Sequence, residues 1–225
     1  MIKSHEAVEG GIFSHREKTK WAVANFRARF DIEAVIGISG GADERNVEQT
    51  TVIILDFLSN LRDRRVAIVS GGTSGGIPEL ATVIAKQLNL PTVGVFPRDG
   101  RKSALLDQLD LAIESLPPSL GKAGFGTETP TFIDILHGMI IIGGEFGTLV
   151  EVATALKINK DRLRKELPII YLCPIQGTGG IADIVRVLPV IKIRDNYLPK
   201  DCLPEEDVYT GIDAARFLRR KLFEN

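Results

Sequence analysis

Cysteine is scarce: Cys173 and Cys202 are the two in 225 residues. Two cysteines make no disulfide framework and no metal-binding pattern, and Cys173 closes an apolar run, where a thiol is expected to be inert core. Excess charge of one sign is also missing. With 28 basic and 29 acidic residues the net charge is −1, which leaves no basic surface for nucleic acid and sets the expectation of no nucleic-acid partner. No apolar run is long enough to cross a bilayer. Met1 to Phe13 lacks the apolar stretch of a signal peptide, so no membrane partner and a cytoplasmic, reducing compartment are expected. Nothing calls for a resident cofactor or metal. What is present is hydrophobic material, 44% of the chain, sufficient for one core. One domain spanning 1–225 is therefore expected, with an N-terminal helix within 1–30 and a C-terminal helix within 200–225.

Short apolar, β-branched runs alternate with segments of helical period. Ser14 and Glu17 form a possible capping box for a first helix that would turn Trp21, Ala22, Phe26 and Phe30 toward a core. Buried strands are read at Ala34–Ile38, Val66–Val69, Thr92–Phe96, Met139–Ile142, Ile169–Leu172 and Val190–Ile193, with Leu111–Ile113 a short further one. Helices are read up to about Leu61, from Pro78 as first helical residue to about Leu88, from a Thr129 cap and Pro130 to about His137, after Gly147, over Ile181–Val187, and from about Ile212 to Phe223. Continuous apolar strands alternating with helices predict an α/β protein whose doubly wound, mostly parallel sheet carries helices on both faces. Val35, Ile36, Val66, Ile68, Val93, Val95, Ile140, Ile141, Ile169 and Ile170 are expected to be buried.

Three strands end in glycine-rich turns: Ser39-Gly40-Gly41, Ser70-Gly71-Gly72-Thr73-Ser74-Gly75, and Gly143-Gly144-Glu145-Phe146-Gly147-Thr148. Such turns lie at carboxyl ends of parallel strands, where doubly wound proteins bind ligands, and each opens a helix whose N–H groups suit an anion. The third turn also reads as local structure alone, because Thr148 and Glu151 form a T-x-x-E capping box.

The order and spacing of these turns resemble the LONELY GUY family and its wider superfamily, once labelled lysine decarboxylases. Gly143 to Glu151 is similar to its G-G-G-x-G-T-x-x-E loop, with Glu145 replacing a glycine. Val69 to Gly75 is similar to its earlier glycine turn, and Val93 to Arg98 to its G-V-[I]-P segment. The match covers roughly residues 34 to 193 and implies a Rossmann-like fold. Enzymes of the family cleave the N-glycosidic bond of nucleoside monophosphates. The resemblance assigns phosphate binding to the Gly143–Thr148 loop, and assigns Glu151 to the ribose and the hydrolytic step. From their place at strand ends, Ser39, Gly40, Gly41 and Gly71 to Gly75 are expected at the same ligand, with Arg98 a candidate beside them. The enzymes carry an arginine in an M-H-x-R-K segment; counting back from Gly143 puts Thr127 there and Glu128 in the place of the lysine. Arg98, Arg101, Lys102 and Lys122 are the nearest substitutes in sequence. Phe125-Gly126-Thr127-Glu128 looks more like the branch that includes carriers of the molybdenum cofactor, a phosphate-bearing pterin.

The expected function is therefore binding of a small phosphate-bearing ligand, nucleotide or pterin, as carrier or sensor, with a phosphoribohydrolase as the alternative. An NAD-dependent dehydrogenase fits less well. Ser70-x-Gly72-x-x-Gly75 lacks the first glycine of the dinucleotide fingerprint, and no acidic residue ends the third strand. The resemblance also implies a homodimer or higher oligomer.

Overall fold

The structure is a computed structural model and describes residues 15–41, 46–115, 124–185 and 200–224. Its strands are β1 (Ala34–Gly40), β2 (Val66–Ser70), β3 (Thr92–Pro97), β4 (Leu111–Ser115), β5 (Gly138–Ile142) and β6 (Tyr171–Ile175). They form one sheet in the order β4-β3-β2-β1-β5-β6, every pairing parallel. The helices are α1 (His15–Arg29), α2 (Val47–Ser59), α3 (Gly76–Gln87), α4 (Thr129–Asp134), α5 (Phe146–Arg164), α6 (Gly180–Ile184) and α7 (Gly211–Phe223).

Strands covered on both sides are apolar without alternation. Along β1, Ala34, Ile36 and Ile38 pack with α2, α3 and α7, while Val35 packs with α1, α4, α5 and α6. The chain winds outward through β2, β3 and β4 on one side of β1, then returns to place β5 on the other side. The winding direction thus reverses between β1 and β5, where Ile36 to Gly40 lie in register with Gly138 to Ile142.

Several local expectations shift for physical reasons. Trp21 is 57% exposed. The buried stripe of α1 runs through Thr19, Ala22 and Phe26, and Trp21 stands about 100° around the helix from Ala22. Helix α3 begins two residues before Pro78, which sits in the first turn, where its missing N–H has no helical partner to lose. Thr129 is the first residue of α4 and Glu128 its cap. That helix ends at Asp134 rather than His137: the Arg162 guanidinium takes the carbonyls of Asp134 (3.2 Å) and Leu136 (3.4 Å), and His137 joins β1 instead. Its backbone N–H reaches Val35 O (2.9 Å), and Nδ1 accepts the Val35 N–H (3.1 Å). On α5 the buried face is Thr148, Val152, Ala155 and Asn159, and Ala153 faces out.

β6 starts at Tyr171, two residues later than expected, and Ile169 is half-buried while the other nine expected core positions are buried. The cause is Asn159, whose buried amide accepts from Ile170 N and donates to Ile170 O, both at 2.7 Å. It stands in for a neighbouring strand just before the sheet begins. Pro174 sits within β6, which proline tolerates because β6 is an edge strand. The Ser14 cap and the Val190–Ile193 strand lie outside the described residues.

Candidate functional site

At the reversal point the turns after β1 and β5 meet the turn after β6. They enclose a cavity of about 380 Å³ lined by Gly41, Gly143, Gly144 and Glu145, by Thr178 to Gly180, and by α2 and Ile77 side chains. Its volume is in the range of small-ligand sites. The third wall, Gly177-Thr178-Gly179-Gly180, is a further glycine-rich turn at a strand end, bearing the same signal as the three recognised in the sequence. It is locked to the β5 turn. Thr178 Oγ1 accepts the Gly143 N–H (2.8 Å), and the N–H groups of Ile181 and Ala182 donate to Gly144 O and Gly143 O, each at 3.0 Å. A Cβ on Gly180 would lie 2.1 Å from Gly144 O, at φ +57°. These bonds occupy the α6 N-terminus and the Gly143 N–H, so neither is open to an anion.

The first turn of α5 is arranged otherwise. Helix α5 starts at Phe146, and its cap residue Glu145 makes no side-chain capping bond. Thr148 is therefore the third helical residue, not the cap, and the Thr148/Glu151 capping box does not form. Glu145, which replaces the family glycine, sits at φ −120°, a conformation open to any residue. Thr148 packs its side chain beneath Gly144, whose φ of +93° and lack of a Cβ permit that contact. Gly147 is different: its φ is not positive, and nothing lies within 4 Å of where a Cβ would stand.

Released from capping, Glu151 points at β1. Ser39 Oγ–H, nearly fully buried, donates to Glu151 Oε2. Burial raises the Glu151 pKa to about 7; the Ser39 bond opposes the shift and the charge of nearby Glu128 adds to it. Glu128 is also raised by burial, against hydrogen bonds from its own N–H and that of Gly126. The two carboxyl groups thus lie near enough for Glu128 to act on Glu151, a pairing that sequence reading reached only as a substitution at the family's lysine position.

The remaining candidates are placed as follows. Gly40 is pressed between Ile142 O and Ile77, and Gly41 O accepts the Ile77 N–H (3.0 Å). Of the predicted site residues the cavity lining holds Gly41, Gly143, Gly144 and Glu145; Ser39, Gly40, Gly71 to Gly75, Arg98, Thr127, Phe146 to Thr148 and Glu151 lie outside it. The turn from Gly71 to Gly75 is tied to the segment after β3 by Ser74 N to Ser103 O (2.7 Å) and Leu105 N to Gly72 O (2.8 Å), and Gly75 N donates to Glu79 (2.6 Å). Arg98 and Arg101 both pair with Glu114 at the end of β4, at 3.1 and 3.3 Å. Thr127 Oγ1 donates to Gly124 O (2.9 Å) and lies 3.3 Å from Ser115 Oγ. Lys122 lies outside the described residues. Phe146 and Phe125 are 83% and 72% exposed. Among the described residues no three His, Cys, Asp or Glu side chains group to hold a metal, and no helix is long and apolar enough to cross a membrane.

A parallel, doubly wound sheet with glycine turns gathered at its reversal point defines a Rossmann-like α/β protein with a crest site. Comparison narrows the class: the sequence profile of the SLOG cluster4 family matches residues 33–164, so the chain belongs to that family, in agreement with the LONELY GUY resemblance of its loops. Among solved structures, TM1055, a structural-genomics target, is 21% identical with a TM-score of 0.60, covering 83% of this chain and 97% of its own. The molybdenum cofactor carrier protein of Chlamydomonas reinhardtii is 20% identical with a TM-score of 0.56, covering 84% and 98%. The molybdenum cofactor binding protein of Rippkaea orientalis is 22% identical with a TM-score of 0.50, covering 69% and 83%. At such identities the likeness is one of fold. No curated protein matches the sequence.

Proposed function

We propose that the crest binds a small phosphate-bearing ligand of nucleotide or pterin type, and that the protein works as a carrier or sensor of it. The observation that carries this reading is Gly147. A glycine inside a helix costs roughly 0.5–1 kcal/mol relative to alanine, and here neither φ nor crowding requires it. A glycine without a structural reason, in a first turn whose N–H groups lack a side-chain cap, leaves those groups open to close approach by an anion. The phosphate would sit against Phe146 to Thr148. The remainder of the ligand would extend over Ser39 and Glu151, whose carboxyl suits hydroxyl or N–H donors rather than the phosphate itself. The cofactor-carrying relatives by fold, which bind a phosphate-bearing pterin, are consistent with such a ligand. The whole chain is read as one such unit, cytoplasmic and homo-oligomeric.

A phosphoribohydrolase is the second reading. Glu151 favours it, since a carboxyl with a pKa near 7 is matched to proton transfer at neutral pH. Against it, Thr127 supplies no charge where the family's enzymes have a guanidinium, and Arg98 and Arg101 are committed to Glu114.

Native mass spectrometry of freshly purified protein, followed by titration with AMP, tests the binding reading. A co-purified phosphate-bearing mass or saturable AMP binding is expected, lost in Gly147→Val with circular dichroism unchanged. Protein that carries no ligand, with AMP affinity identical in wild type and Gly147→Val, refutes it.

A further inference from the structure

At the opposite end of the sheet, beside the amino ends of β5 and β6, lies a groove of about 1010 Å³ between α1 and α5. It shares no residue with the crest cavity. Helix α1 contributes Lys20 and Arg27 to it, the C-terminal part of α5 contributes Lys157, Lys160, Arg162 and Arg164, and the cap residue after it contributes Lys165. Among the described residues two carboxylates, Asp134 and Asp161, line the same groove, in a chain whose net charge is −1. Seven cations against two acids is a strong local segregation of charge.

Part of this charge is structural. Arg162 is spent on the carbonyls of Asp134, Leu136 and Pro168, Arg27 on those of Ile32 and Glu33, and Lys165 on Asp161 at 2.7 Å. Hydrogen bonds to carbonyls leave the positive charge in place, and it is felt. His137 on the groove wall is pulled down to about 4, by burial first and then by Arg27 and Arg162. Lys20, Lys157 and Arg164 project into solvent on the rim. Beneath them the lining is apolar: Val23, Ala24, Ile135, Ile158, Leu167 and Pro168.

We infer that this groove docks an acidic amphipathic segment of a partner protein, its leucine-like side chains on the apolar floor and its carboxylates on the Lys20, Lys157 and Arg164 rim. Charge complementarity and the floor select this occupant together. A second copy of the chain docked face to face would set seven cations against the same seven. A nucleic-acid strand would meet the rim but leave the apolar floor uncovered. A small anion needs convergent donors, whereas here the cations are spread along two helices. An amphipathic helix laid in a groove satisfies both surfaces.

Trp21, the single tryptophan, stands exposed on α1 beside Lys20 and Ala24 and reports on this site without labelling. The experiment selects a display library of short peptides on the wild-type protein, counter-selecting on Lys20→Glu/Lys157→Glu, whose sites are solvent-exposed and whose thermal melting should match wild type. Enriched sequences should carry Asp and Glu with Leu, Ile or Phe at helical spacing. Such a peptide should shift Trp21 emission, lose affinity at least about tenfold in the double variant, and weaken as salt rises. Should the double variant melt early, the salt titration and a peptide with its acids changed to amides make the same test on wild type. No enrichment of acidic sequences, or equal affinity for the amide peptide, overturns the inference. So does a single-stranded oligonucleotide that binds wild type more tightly than any peptide, or self-association that the double variant abolishes. The groove and the crest cavity share no residue, so AMP at the crest is expected to leave Trp21 emission unchanged, and failure here and failure of the crest reading are separate results.

Discussion

Glu151→Gln should make the protein more stable, and only above a certain pH. In the folded chain this carboxyl is raised from the usual 4.5 to about 7, chiefly by burial. A pKa raised by folding means the fold favours the protonated form. The contribution is fully present below about pH 4.5 and is lost as pH climbs through 7. At about 1.36 kcal/mol per pH unit, the ceiling is near 3 kcal/mol, and residual solvent access to the side chain brings the expectation to about 2 kcal/mol. Glutamine keeps the shape and an acceptor for the Ser39 hydroxyl but never ionises. The assay is urea unfolding by far-ultraviolet circular dichroism at pH 4, 6 and 8. The two proteins should be nearly equal at pH 4, and the variant ahead by about 2 kcal/mol at pH 8, because it escapes the cost of a buried charge. His137 titrates identically in both and cancels in the difference. Ser39→Ala should steepen the wild-type loss, since it removes the donor that favours the ionised form. If Glu151 were instead a helix cap, the variant would be equal or weaker by up to about 1 kcal/mol at every pH. A pH-independent difference would therefore refute the burial argument.

Hydrolysis of AMP by the wild-type protein should be slow, far below the roughly 10 per second typical of enzymes. Release of free base should rise with Thr127→Arg and vanish on adding Glu151→Gln; wild-type turnover near 1 per second, ordinary for an enzyme, would instead make the hydrolase the correct reading. His137, depressed to about 4, favours the fold while neutral, so stability should erode as pH falls from about 6.5 toward 4, by at most about 3 kcal/mol. His137→Gln should flatten that acid limb in urea titrations, and an unchanged limb would show that other groups govern it. Gly180→Ala, with its Cβ placed against Gly144 O, should cost more than about 2 kcal/mol and lower the thermal midpoint; a neutral result would mean the two turns separate freely.

The sheet was legible because its strands are buried on both faces, and runs such as Met139 to Ile142 can hardly be anything else. Three of the four glycine turns at strand ends were legible for the same reason, as punctuation after such runs. What sequence could not supply is direction around a helix. Trp21 is as apolar as Phe26, and only the 3.6-residue period measured from Ala22 turns it outward. Nor could it assign Glu151: T-x-x-E is a capping signal when the helix begins after the threonine, and here it begins two residues before it. One turn's displacement changed a local cap into a carboxyl facing β1. Asn159 and the closeness of Glu128 to Glu151 were missed because the partner groups belong to other elements.

The pairing of β1 with β5 joins the segments farthest apart in sequence of any strand pair in this sheet. Ser39 and Glu151 are 112 positions apart, and β2, β3 and β4 can zip onto β1 through nearer neighbours before β5 arrives. Closing so long a loop is entropically late, which makes the β1/β5 ladder the seam of the fold and the crest the clasp across it. A ligand held between Ser39 and the Gly147 turn grips both sides of that seam. On the proposed reading such a ligand would stabilise contacts absent while the chain is still assembling, lengthening the lifetime of the closed molecule and leaving the speed of closing almost untouched. Occupancy would then be recorded as persistence, a loaded molecule outlasting an empty one.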